Sequence, residues 1–485
     1  ECMEGTRQDI LSEIIDWASN MDAPNIFWLE GYPGVGKSAV AASLVEEFRK
    51  SKRLGSSFFF QRAKANVMTT NSLWRTVAHD LARRYPDMRK SLITALTRND
   101  SLPATFNVDT LFHELIHNPL IEYDRKPVEN PPIVIIDALD ECGGLDGQHS
   151  NHRVNLMRTL KSWSSLPKIF KLIVTSRREP DIVRLFGSIA HSSVDVLAGR
   201  SVDTKSSDDI EKYLGYHFSQ IVAQYQGVLP VDWPGHQIIR KLVQMANGLF
   251  IWPVTTLKFL TRGYPQEQLN RILDGAGTGG LTTLYSWILT ASFPDPSEMV
   301  VESFHSVVGT IILAKDPLPA SSIGELCSVD DCMTKYIINS LQSVISSEEV
   351  PRFKHQSFVD FLLDRTKCPS TFLISLERQN RILALGCLRI MKRNLRFNIC
   401  DLKSSYHRNS EISDLDLRIK EHIPPHISYS AAFWASHFTN INFDPEIFEL
   451  VQDFVQNRFL FWLEILSLLL FAIQFAMLCL PPAQI

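Results

Sequence analysis

Gly31-Tyr32-Pro33-Gly34-Val35-Gly36-Lys37-Ser38 sets three glycines, a lysine and a hydroxyl between the apolar run Ile26-Phe27-Trp28-Leu29 and a helix-patterned stretch. That spacing and that setting are those of a phosphate-binding loop. Glycine lets the backbone crowd a phosphate chain with its N–H groups turned inward, and the following helix adds the positive end of its dipole. Gly31, Pro33, Gly34, Val35, Gly36 and Ala39 are expected to cradle a nucleoside triphosphate. Lys37 is expected to reach the β- and γ-phosphates and Ser38 to ligate Mg²⁺. A plain Gly/Pro turn between strand and helix would not need every specified position of the motif.

A second cluster supplies acid. The β-branched run Ile133-Val134-Ile135-Ile136 reads as a strand buried on both faces, and it ends in Asp137-Ala138-Leu139-Asp140-Glu141. Open parallel sheets bind ligands at the carboxyl ends of their strands. Asp137 is expected to hold Mg²⁺ through water, and Glu141 or Asp140 to polarise water for attack on a γ-phosphate. A third strand, Leu172-Ile173-Val174-Thr175-Ser176, ends in Arg177, a residue able to touch a γ-phosphate and report its presence.

The elements that position these groups alternate. Thr6 to Ser19 has helical spacing (Ile10, Leu11, Ile14, Ile15, Trp17), with Thr6 as the expected N-cap. Val40, Leu44 and Phe48 form the buried stripe of the phosphate-bearing helix. A strand over Ser56 to Phe60 precedes helices marked by Leu73, Trp74, Val77 and Leu81 and by Leu111, Phe112, Leu115 and Ile116. Val154 to Trp163 predicts a further helix, Phe170 to Thr175 a strand and Ser193 to Leu197 a fifth. Residues 1–197 therefore predict a doubly wound parallel α/β domain. From Ser207 the pattern turns helical. Asp274 to Gly280 mimics a phosphate loop but lacks a lysine and a preceding strand, so it reads as a linker.

Composition narrows the partners. A chain of 485 residues suggests roughly three or four domains. The net charge of −4, with no long Lys/Arg block, gives no support for nucleic-acid binding. Eight cysteines without a Cys-x-x-Cys pair suit a reducing, cytoplasmic compartment. The chain starts at Glu1-Cys2 without Met or an apolar leader, and so reads as a piece of a longer protein. Phe459 to Leu480 has the length of a membrane span, but Glu464 and Gln474 favour a packed helix.

The apolar strand followed by Asp-Ala-x-Asp-Glu, with a small residue after the metal Asp, resembles the NACHT branch of the STAND signalling ATPases. Gly5-Thr6-Arg7, Ile26 to Leu29, Thr175-Ser176-Arg177 and Asn247-Gly248-Leu249-Phe250-Ile251-Trp252 extend that resemblance to fungal-type members. Phe353 to Leu362 is similar to the winged-helix motif in which a histidine, here His355, reaches the β-phosphate of ADP. The family often has Pro after the sensor Arg, whereas Arg178 follows here, so both Arg177 and Arg178 are candidates to face phosphate. Pro253 replaces a usual Ala, in a first helical turn that tolerates it.

The resemblance implies a lead-in helix (1–20), a NACHT domain (21–198), a helical domain (199–275), a winged-helix domain (276–370) and a helical region (371–485). It implies a cytoplasmic switch that binds ADP when closed and ATP when open, homo-oligomerises on activation and resets by slow hydrolysis, with effector and sensing domains outside this chain. Two alternatives are weighed: an ATP-dependent phosphotransferase, weakened by the lack of an Arg-rich lid, and a scaffold with a structural nucleotide, weakened by Asp140 and Glu141. GTP is disfavoured by the lack of an Asn-Lys-x-Asp element.

Overall fold

In the computed structural model, residues 1–124, 130–199, 202, 204–261, 263–275, 280–346, 349–404 and 406–469 are described. The chain divides into two units, Glu1–Leu284 and Tyr285–Ile485. The first carries α1 (Gln8–Ser19), β1 (Ile26–Gly31), α2 (Lys37–Lys50), β2 (Leu54–Phe59), α3 (Thr70–Arg84), α4 (Pro86–Arg98), α5 (Val108–Phe112) and α6 (Asn118–Asp124). It continues with β3 (Ile133–Asp137), α7 (Asn151–Trp163), β4 (Lys171–Ser176), α8 (Pro180–Phe186) and β5 (Ser192–Val196).

The five strands form one parallel sheet in the order β2-β3-β4-β1-β5. The strands with continuous apolar runs, β1, β3 and β4, are central and buried at every position. Because side chains alternate along a strand, each run feeds two cores. Phe27, Leu29, Ile133, Ile135 and Ile173 pack with Ile14 and Trp17 of α1 and with Val40, Leu44 and Phe48 of α2. Ile26, Trp28, Val134, Ile136, Leu172 and Val174 pack on the opposite face with α3 to α8, where Trp74 and Trp163 are almost fully enclosed. The doubly wound parallel fold expected from the alternating pattern is the one observed. The β5 edge behaves differently: it alternates between half-buried and exposed residues and ends in the buried Val196, as an edge strand should.

α9 (Thr204–Gln224), α10 (His236–Ala246), α11 (Ile251–Leu260) and α12 (Pro265–Gly275) complete the first unit. Pro253 lies in the first turn of α11. Asp274 and Gly275 belong to α12 rather than to a linker, and residues 276–279 of that stretch lie outside the described residues. α1 starts two residues later than the pattern suggests. Arg7 takes the cap position with φ 57°, and Thr6 caps nothing, its hydroxyl donating to the Met3 carbonyl (2.7 Å). The reason is tertiary: the Arg7 N–H is bound by Asp209 of α9 (2.9 Å).

The second unit is helical, from α13 (Leu281–Ser292, which crosses the boundary), α14 (Glu298–Leu313), α15 (Ala320–Cys327), α16 (Asp331–Ser340) and α17 (Gln356–Leu363) to α18 (Leu376–Asn394). α19 (Leu415–His422), α20 (Pro425–Phe438), α21 (Pro445–Asn457) and α22 (Phe459–Leu468) follow. An antiparallel bridge between Ile345 and Phe353 leads into α17. Glu464 accepts the N–H groups of Asn398 (3.1 Å) and Ile399 (3.2 Å), which gives its carboxylate partners on protein backbone. Among the described residues no helix is long and apolar enough to cross a membrane. The rest of the apolar tail, 470–485, lies outside them.

Candidate functional site

The glycine-rich loop joins β1 to α2 at the carboxyl edge of the sheet. Gly31 ends β1 against β5, so close that a Cβ would stand 2.7 Å from the Val196 carbonyl oxygen. Gly36 has φ 101° and is the cap residue of α2, with open space where a Cβ would be. An L side chain at either position would cost strain or collision, which explains the residue type. Lys37 Nζ donates to the carbonyls of Gly31 (2.8 Å) and Tyr32 (3.0 Å). Burial pulls its ammonium down to about 8, against the opposing pull of Asp140. A half-buried cation held mainly by neutral carbonyls is a fitting partner for polyphosphate oxygens.

The acidic cluster faces this loop. Asp137 is buried at the end of β3 and accepts from the Thr175 hydroxyl (2.5 Å) and from Ser38. Burial holds its carboxyl above the usual carboxylate range, with both hydrogen bonds opposing. The contact joins the two residues expected to share Mg²⁺, so the donor set fits that ion. Ala138 follows in the left-handed region (φ 55°), a conformation unfavourable for a residue with a Cβ, and its N–H donates to the same Thr175 hydroxyl (3.0 Å). Thr175 thus holds the turn that swings Asp140 and Glu141 back toward the loop.

Asp140 and Glu141 have different environments. Both Asp140 oxygens are engaged by Arg177, one by its N–H (3.0 Å) and one by Nε (3.1 Å). Glu141 accepts the Arg62 N–H (2.9 Å), and burial followed by the neighbouring Asp140 charge pushes its carboxyl up to about 7. Of the two acids, Glu141 therefore has the basicity for proton transfer near neutral pH. The two arginines also separate: Arg177 meets Asp140, whereas Arg178 turns to Glu30 (3.0 Å) and Asp195 (3.8 Å) on β1 and β5.

Two important residues were not singled out as site residues by the sequence analysis. Arg7, quoted there within Gly5-Thr6-Arg7, is 6% exposed and reaches from α1 to the phosphate loop. Its guanidinium donates to the Val35 carbonyl (2.7 Å) and the Ser206 hydroxyl (2.7 Å), and lies over the Phe250 ring at 4.8 Å. With Ile251 N–H donating to the Gly34 carbonyl (3.0 Å), it ties α9 and α11 directly to the loop. Arg7→Ala is expected to destabilise the protein by about 2 to 4 kcal/mol, because it removes the guanidinium's hydrogen bonds to the Val35 carbonyl and the Ser206 hydroxyl and empties a buried site. A lower denaturation midpoint and new proteolytic cleavage before α9 are the expected results. Arg153 of α7 is the other such residue, an arginine in a polar helix with no sequence signal.

His355 lies in the second unit at the N-cap of α17. Its Nδ1 accepts from the Ser357 N–H (3.1 Å) and meets the Ser357 hydroxyl (2.6 Å), which in turn meets the Tyr285 hydroxyl (2.7 Å). An Nδ1 acceptor places the proton of the neutral ring on Nε2. His355 therefore has a helix-capping role in its own unit whatever else it touches.

Together, the sheet order, the glycine loop and the acidic strand end define a P-loop nucleoside-triphosphatase domain. Residues 5–177 match the family model for the N-terminal region of nephrocystin 3, a stretch that runs from the lead-in motif through Arg177. The chain is 23% identical over 492 aligned positions to the vegetative incompatibility protein HET-E-1 of Podospora anserina, covering 92% of this chain and 34% of that protein. These similarities support a NACHT/STAND-type protein, and the chain spans about a third of the length of that relative.

Among solved structures, a STAND protein with a tetratricopeptide repeat sensor from Pyrococcus horikoshii aligns with TM-score 0.43 and 14% identity, covering 96% of this chain and 58% of that one. A Walker-type ATPase of Pyrococcus abyssi aligns with TM-score 0.37 and 12% identity, covering 73% and 94%.

Proposed function

We propose that the protein is an ATP/ADP-dependent signalling switch, closed with ADP and open and homo-oligomerising with ATP. The observation that supports it is the gathering of Lys37, Ser38, Asp137, Glu141 and Arg177 at the carboxyl ends of the adjacent strands β3, β4 and β1. In this reading the loop N–H groups and Lys37 bind the phosphates, and Gly31, Pro33, Gly34, Val35, Gly36 and Ala39 shape the cradle. Ser38 and Asp137 hold Mg²⁺, which supplies charge neutralisation of the phosphate oxygens. Glu141 takes a proton from water, and Arg177 exchanges its hold on Asp140 for one on a γ-phosphate. Hydrolysis is slow and resets the switch.

The finer assignments belong to the same proposal: a NACHT domain over 21–198 after a lead-in helix (1–20), a helical domain over 199–275, a winged-helix domain over 276–370 and a helical region over 371–485. His355 reads the β-phosphate of ADP from the winged-helix domain and favours the closed state. Only a difference in nucleotide contacts between the two states can shift their populations, and a few kcal/mol suffices. Cytoplasmic residence, effector and sensing domains beyond this chain, and a role in fungal non-self recognition or programmed cell death complete the reading.

The test is to denature purified protein and identify the released nucleotide by chromatography. Stoichiometric ADP is the expected result. Protein that carries none, binds none and turns over ATP only with an added acceptor would favour a phosphotransferase. His355→Gln is expected to speed ADP release by about tenfold, since one hydrogen bond to a charged group contributes roughly 1.5 kcal/mol. Stopped-flow release of a fluorescent ADP reads this directly, and an unchanged off-rate removes His355 from the site.

A further inference from the structure

Arg153 has 0% exposure, and among the described residues it is among the largest fully buried side chains. Arginine is seldom enclosed unless its fork is fully used. Its Nε and one terminal nitrogen engage both oxygens of Asp181 (2.8 and 3.0 Å), and the same terminal nitrogen reaches Glu179 (2.6 Å). The other terminal nitrogen donates to the backbone carbonyl of Asp140 (2.7 Å).

These partners sit on the two loops that carry the proposed chemistry. Asp140 is in the turn after β3, one residue before Glu141. Glu179 and Asp181 are in the segment from β4 into α8, just after Arg177. Asp140 is thus gripped twice, at its carbonyl by Arg153 and at its carboxylate by Arg177. The two loops have no shared strand ladder at this level, since the β3–β4 register ends at Ile136 and Val174. Contacts that involve side chains join them there.

We propose that Arg153 is a positioning residue that locks the Glu141 turn to the Arg177 segment, so that a γ-phosphate drawing on Arg177 also sets Glu141. This rests on the reading of Glu141 and Arg177 given above. Arg153 touches neither nucleotide nor water in this role and acts through Asp140. Lysine cannot replace it, because one ammonium cannot span a bidentate carboxylate, a second carboxylate and a carbonyl in one plane.

The experiment compares wild type with Arg153→Met and Arg153→Lys in single-turnover hydrolysis of pre-bound Mg·ATP, alongside ATP and ADP affinities. The expected result is a rate loss on the order of 100-fold for Arg153→Met, the scale of a small misplacement of reacting groups, with affinities changed less than about threefold. Arg153→Met in an Arg177→Ala background should add little further loss, because the locked partner is already gone. Folded Arg153→Met protein that hydrolyses within about threefold of wild type overturns the proposal, as does full additivity with Arg177→Ala.

If Arg153→Met fails to fold, Glu179→Gln and Asp181→Asn keep the arginine and remove one anchor each; normal turnover in both overturns the proposal. If wild type itself neither binds nor hydrolyses nucleotide, the functional reading fails separately. Hydrogen exchange then decides on Arg153: the Glu141 and Arg177 amides should lose protection together in Arg153→Lys while α2 stays protected, and unchanged protection at both overturns the lock.

Discussion

Lys37→Ala should abolish tight nucleotide binding while leaving the fold intact or firmer. The ammonium reaches into the loop and donates its hydrogen bonds to the Gly31 and Tyr32 carbonyls. Its removal takes the central cation from a polyphosphate site, where each charge-assisted hydrogen bond contributes roughly 1.5 to 3 kcal/mol. Two such contacts correspond to a loss of at least about 100-fold in affinity, readable by calorimetry with ATP and ADP.

The stability effect has the opposite sign. Burial lowers the folded pKa of Lys37 to about 8. Above the ordinary lysine value both folded and unfolded forms are neutral and the group costs nothing. As pH falls through about 8 the folded protein must carry the buried charge, and the cost is then fully present. Nucleotide-free Lys37→Ala should therefore melt at or above the wild-type temperature at pH 7, with the gap closing toward pH 10. Unchanged ATP affinity would remove the loop from the nucleotide site.

Glu141→Gln is the second large effect, expected to slow hydrolysis by about 10² to 10⁴-fold, the range for loss of a general base, with ATP still bound. Trapped ATP should then accumulate in the purified protein in place of ADP. Wild-type turnover should rise with pH through about 7, where the Glu141 carboxyl loses its proton. A folded pKa above the ordinary glutamate value means that Glu141 favours the folded state at low pH, and that this contribution is lost as pH rises through about 7. The amide variant should consequently gain stability over wild type at pH 8 and not at pH 4. Asp140→Asn tests the division of labour between the acids: because Arg177 holds both Asp140 oxygens, this variant should perturb ATP/ADP discrimination more than proton transfer. An Asp140→Asn loss confined to the pH-dependent step, with Glu141→Gln active, would reverse the assignment.

The sequence by itself determined those parts whose chemistry is local. Gly31, Gly34 and Gly36 with Lys37 and Ser38 specify a loop that backbone geometry makes nearly unique, and Ile133 to Ile136 ending in Asp137 specify a strand enclosed on both faces. Apolar strand runs separated by helix-patterned stretches were enough to anticipate a parallel, doubly wound sheet. Tertiary structure decided whatever depends on partners distant along the chain. Asp140 and Glu141 are adjacent and chemically alike, and their partners separate them: Arg177 on Asp140 and the Arg62 N–H on Glu141. Arg177 and Arg178 are identical in type, and the neighbouring strands β1 and β5 draw off the second through Glu30 and Asp195. Thr6 had the local credentials of a helix cap, yet the buried guanidinium of Arg7, anchored by Val35, Ser206 and Phe250, set the turn instead. A cap is worth about 1 kcal/mol, and a buried arginine with these contacts more, so the long-range contacts prevailed. Arg153 was silent in the sequence for the same reason: its partners lie 13 to 28 residues away, and nothing but the fold brings this cation to four oxygen acceptors on three residues.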